Sequence, residues 1–88
     1  MPYVPQTART RAAKNPMTPG ELNYAITTLV DTWILENNGL SYLAINTAIG
    51  VLECAKLELY RRIAIPYEDA KQRENGDVYT CDKDTPKA

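Results

Sequence analysis

The chain has 88 residues, a formal charge of −1 and a hydrophobic fraction of 44%. That length sets one domain as the ceiling and leaves only a small core unless self-association adds to it. The near-neutral charge disfavours a coat for duplex nucleic acid or for an anionic membrane.

No histidine and only two cysteines, Cys54 and Cys81, are present, which disfavours zinc and similar soft-ligand sites and leaves room for a carboxylate-bound magnesium. The setting of the two cysteines and the lack of a leader pattern point to a reducing cytoplasm. Asp31, Glu36, Glu53 and Lys56 interrupt every apolar run, so no membrane span is expected.

Residues 1–17 carry Pro2, Pro5 and Pro16 with Arg9, Arg11 and Lys14 and no acid. They read as an extended basic arm that orders on binding. Thr18-Pro19-Gly20-Glu21 is a strong helix start, with Thr18 as cap, Pro19 at the first helical position and Glu21 completing a capping box. Leu22, Ala25, Ile26, Leu29, Val30, Trp33 and Ile34 then recur at three- and four-residue spacing. That is an amphipathic helix, and Asn37-Asn38-Gly39 supplies a left-handed cap. In this reading Trp33 is core, Tyr24 on the far side meets another subunit, and Asn23 faces Asn46 across the turn.

Ser41 caps a second helix predicted to reach Ile65, where Pro66 ends it. The short link implies an antiparallel helical hairpin. Helix two, at roughly 35 Å against roughly 26 Å for helix one, overhangs its partner and has apolar residues off its main stripe, which implies a homo-oligomer. A short third helical segment, Tyr67 to Glu74, is expected to stop at Asn75-Gly76, with a brief extended stretch after it. The expected organisation is therefore an arm at 1–17, an all-α hairpin domain at 18–79 and a flexible tail at 80–88.

At about 100° per residue, Ile45, Ala48, Ile49, Leu52, Leu59 and Ile63 share one face of helix two, with Lys56 among them. Tyr42, Asn46, Glu53 and Tyr60 line its flank, where half-buried polar groups need partners. The bland account is a satisfied polar layer that fixes helix register, with Glu53 and Lys56 pairing across one turn. The sharper one is a pocket in which tyrosines stack on a planar ligand while Lys56, Arg61 and Arg62 meet its anionic group. Gly50 in mid-helix suggests close approach of a second helix or a ligand.

Gly20-Glu21-Leu22-Asn23-Tyr24, Gly50-Val51-Leu52-Glu53-Cys54-Ala55-Lys56-Leu57-Glu58, Tyr60-Arg61-Arg62, Pro66-Tyr67-Glu68-Asp69 and Asn75-Gly76-Asp77-Val78-Tyr79 resemble a family of small proteins encoded by phages and bacteria, without an assigned molecular function. The resemblance implies a context in which small phage proteins bind and block host components, and it implies no activity.

Three functions follow as expectations. The first is a non-enzymatic anti-defence sponge that sequesters an anionic nucleotide-like signal at Tyr42, Asn46, Lys56, Tyr60, Arg61 and Arg62, with no cofactor or metal. The second is a protein-interaction module that blocks a host protein through Leu43, Cys54 and Leu57. The third, a magnesium-dependent nucleotide pyrophosphohydrolase, has only Asp31, Glu36, Glu53 and Glu58 to offer. Glu53 and Glu58 are five apart and face different directions, which breaks the expected acidic pair.

Overall fold

The computed structural model describes residues 2–81, and among them the fold is all-helical with no strand. A 3₁₀ turn at Gln6–Ala8 leads into α1 (Arg9–Lys14), followed by α2 (Pro19–Glu36), α3 (Tyr42–Leu59), a π-helical turn (Tyr60–Ala64) and α4 (Ile65–Asn75). The chain divides into two compact units, Met1–Val51 and Leu52–Ala88, and the division falls inside α3. Most of the expected tail at 80–88 lies outside the described residues.

In the first unit the basic segment is not an extended arm. Ala8, Ala12 and Ala13 alternate with arginine and lysine, all strong helix formers, and the segment folds as α1, which packs on α2. Ala12 makes the close approach possible, with 0% of its surface exposed. Arg9 holds the preceding loop: its Nε donates to the Val4 carbonyl at 2.9 Å, and its guanidinium lies 5.7 Å from the centre of the Tyr24 ring. Tyr24 thus supports α1, where the sequence pointed it at another subunit.

The start of α2 is the predicted one. Thr18 is extended and its hydroxyl accepts from the Glu21 N–H at 3.1 Å, with Pro19 opening the helix. The helix closes as expected too. Asn38 and Gly39 have φ of 73° and 79°, and the Gly39 N–H returns to the Ile34 carbonyl at 3.0 Å. Asn37 adds a side-chain hydrogen bond to the Trp33 carbonyl at 2.8 Å. This αL turn satisfies carbonyls that the helix end leaves open. Ser41 then caps α3 by accepting from the Ala44 N–H at 3.0 Å.

The short turn is compatible with a hairpin, without close backbone approach between α2 and the first-unit part of α3. Helices in direct contact run roughly 8–10 Å apart with Cα atoms on cylinders of radius about 2.3 Å, so facing Cα atoms approach well inside 8 Å. No Cα of α2 lies that close to one of α3. Asn23 accordingly accepts from Thr27 on its own helix, at 2.8 Å to the carbonyl and 3.3 Å to Oδ1, and does not meet Asn46. Among the described residues of this unit the buried ones are Val4, Ala12, Ala44 and Ala48. All are small or modest in size, whereas Leu22, Ile26, Leu29 and Trp33 remain 52, 43, 72 and 41% exposed. Trp33 is not core.

In the second unit, among the described residues, no side chain is buried. Pro66 does not end the helix. A proline inside an α-helix lacks the N–H for its bond and collides with the carbonyl four residues back. Here the backbone widens just before it: the Ile65 N–H donates to the Tyr60 carbonyl, five residues back, and α4 continues with Pro66 in its first turn. The wider turn is the usual device for carrying a helix past such an obstacle. Gly76, at φ 84°, stops α4, and its N–H reaches the Gln72 carbonyl at 2.8 Å. Beyond it, over the expected extended stretch, the Tyr79 N–H donates to Asp77 Oδ1 at 3.0 Å.

Candidate functional site

The six expected ligand residues divide between the units. Tyr42 and Asn46 belong to the first, and both are exposed, Tyr42 at 84%. Neither side chain has a hydrogen bond among the described residues. A half-buried seam in need of partners is therefore not what this flank of α3 forms in the single chain.

Lys56, Tyr60, Arg61 and Arg62 belong to the second unit. Lys56 pairs with Glu53 at 3.5 Å, the i,i+3 contact that sequence spacing suggested. Arg61 Nη2 donates to both oxygens of Glu58, at 3.0 and 3.1 Å, and Arg62 approaches the same carboxylate at 3.6 Å. Two guanidinium groups thus share one acid, leaving a surplus positive charge on the turn that also carries exposed Tyr60. All five charged partners are more than half exposed, so each pair contributes little to stability. A shallow hollow lies farther along this unit, lined by Glu68, Lys71, Gln72, Asn75, Gly76, Asp77 and Val78. Lys71 there also stacks over Tyr67, 5.6 Å from the ring centre, and pairs with Glu74 at 3.4 Å. Among the described residues no group of three cysteine, aspartate or glutamate side chains is placed to hold a metal ion.

The most tightly determined polar constellation is one the sequence reading did not single out. Arg11 Nη1 and Nη2 donate to Glu21 Oε1 and Oε2 at 2.8 and 2.6 Å, and the Met17 N–H donates to Oε1 at 2.9 Å. Arg11, with the Met17 and Thr18 amides after it, holds the Glu21 carboxyl well below the usual carboxylate range, at about 2, and the same contact raises Arg11. The Thr18-x-x-Glu21 capping box was readable, but not that Glu21 would reach past its cap to α1. The alanines of residues 8–13 were the available signal for a helix there.

The model of a family described as a domain of unknown function (DUF6899) matches residues 1–78. The chain belongs to the DUF6899 family. The matched span takes in the 3₁₀ turn, α1 and the Arg11–Glu21 clamp as well as α2 to α4, so in this DUF6899 chain the basic segment lies within the family domain. No curated protein and no solved structure matches the chain.

The DUF6899 domain leaves many large apolar side chains open. On α2 the open large apolar residues are Leu22, Ile26, Leu29, Trp33 and Leu35, and on the first-unit part of α3 they include Leu43, Ile45 and Ile49. In the second unit Leu52, Leu57, Leu59, Ile63 and Ile65 are each at least 40% exposed. Scattered exposed leucines are ordinary on protein surfaces. A contiguous apolar patch, in proteins generally, marks an interaction surface.

Proposed function

We propose that this DUF6899 protein is a non-enzymatic helical interaction module, which assembles with itself and acts by covering another protein. The observation that carries this reading is the open state of most large apolar side chains on α2 and α3, against a buried set, among the described residues, of only Val4 and three alanines. At about 25 cal/mol per Å² of apolar surface removed from water, these stripes hold more stabilisation than the single chain realises. Homo-oligomer formation is the first use of them, in keeping with the small size of the domain. A phage-type protein that blocks a host component in the cytoplasm is the biological form that the family resemblance favours.

The test is native mass spectrometry of the purified chain, followed by competition between the homo-oligomer and candidate partner proteins. A multiple of the 9.9 kDa chain mass that gives way to a heteromeric complex is the expected result. A chain that stays monomeric at 100 µM, on the order of the weak end of specific association, and takes up no partner overturns the proposal.

A nucleotide sponge is the second reading, favoured by one observation: Arg61 and Arg62 share the single carboxylate of Glu58 beside exposed Tyr60. A phosphate would compete with Glu58 for those forks. Retention of whole nucleotide masses by the native protein, lost in Arg61→Ala, would establish it in place of the interaction module.

A further inference from the structure

We propose that α2 is the self-association element, and that it pairs antiparallel with α2 of a second copy through Leu22, Ile26, Leu29 and Trp33. This rests on the self-assembly proposed above and specifies its interface. At 100° per residue these four side chains fall within an arc of about 60°. All lie in the first unit and all are more than 40% exposed. Residues on the adjacent side of α2, Glu21, Tyr24, Ala25 and Thr28, are partly covered, so α1 occupies a neighbouring face and leaves the stripe open.

The spacing selects the occupant and its direction. Intervals of four, three and four residues read the same in both directions, so an antiparallel copy offers the matching stripe, Leu22 against Trp33 and Ile26 against Leu29. These are the mixed layers of an antiparallel knobs-into-holes seam, and a two-fold axis generates the contact twice with one surface. Charge agrees with that direction. The last two turns of α2 carry Asp31 and Glu36 with no base on the helix, while its first turn adjoins α1 with Arg9, Arg11 and Lys14 against Glu21 alone. Parallel pairing would bring two acidic, dipole-negative ends together. Antiparallel pairing sets each beside the basic, dipole-positive end of its partner.

The experiment is disulfide trapping in a Cys54→Ser/Cys81→Ser background, with Leu22→Cys and Trp33→Cys made as separate variants. Native mass spectrometry of the parent first establishes assembly. The expected result is a covalent dimer when the two variants are mixed and oxidised, with little from either alone. Homodisulfides of each variant would show parallel pairing and overturn the inference. So would an assembled protein that gives no trapped species, or that keeps its mass in Leu29→Asp, and in those cases the self-assembly reading stands. A monomeric parent instead removes the assembly reading beneath it.

Discussion

Arg11 grips the Glu21 carboxylate with two parallel hydrogen bonds, at 2.8 and 2.6 Å, and so ties α1 to the first turn of α2 across ten residues of chain. The bond lowers the Glu21 pKa to about 2, from an ordinary value near 4.3. Because the folded value lies below the unfolded one, the contribution to stability is complete above the unfolded pKa and disappears as pH falls through the folded one. The first unit should therefore loosen between about pH 4.3 and pH 2. A carbon-detected NMR titration of the Glu21 carboxyl checks this. In Arg11→Ala its midpoint should return toward the ordinary range and the acid-dependent step should shrink. A midpoint near 2 that survives the substitution would show that the Met17 and Thr18 amides alone hold the anion.

Ala12, fully buried where α1 meets α2, should tolerate nothing larger. Ala12→Leu is expected to lose about 1 to 3 kcal/mol through overpacking, read as a lower urea midpoint. Ala13→Leu, at an exposed position on the same helix, serves as the control and should stay within about 0.5 kcal/mol. Equal loss from both would mean that α1 is not docked in solution.

Local signals in this chain were readable, and packing was not. Thr18 with Pro19, the Asn38-Gly39 turn, Ser41 and Gly76 each act through their own backbone preference or a hydrogen bond to a near neighbour, so their roles follow from a few residues of sequence. The docking of α1 rests on Ala12 and Arg11 meeting a helix ten residues on, a tertiary choice that three nearby prolines obscured. Pro66 was read by its rule as a stop, but the rule names an obstacle and not the way around it, and widening at Tyr60–Ala64 is the cheaper course here. The expected binding residues were placed on a half-buried flank because apolar periodicity marks which face prefers burial. It does not say whether the covering surface comes from the same chain, and Tyr42 and Tyr60 stay open.

Gly50 was expected to mark a close approach, yet a Cβ built there meets nothing within 4 Å. In the single chain Gly50→Ala should therefore stabilise α3 by up to about 1 kcal/mol, through propensity and a less flexible unfolded state. Thermal unfolding followed by circular dichroism measures it. A decrease in melting temperature that grows with protein concentration would reveal a neighbour in the assembled protein that needs the missing side chain.

The π-helical turn should depend on Pro66. The ring removes one donor and presses on the carbonyl four residues back, a conflict of about 3 kcal/mol in an uninterrupted α-helix, which the wider turn relieves in part. Pro66→Ala restores the N–H and removes the clash, so Tyr60–Ala64 should close to ordinary α-geometry with a gain of about 1 to 2 kcal/mol. Closure moves the Ile65 N–H from the Tyr60 carbonyl to that of Arg61, and it rotates Arg61 and Arg62 relative to α4 by about 100°, one residue of helical phase. Through-hydrogen-bond NMR couplings report the acceptor of the Ile65 amide directly. If the coupling to Tyr60 persists in the alanine variant, the turn is set by its own residues, and the proline follows a widening that it does not cause.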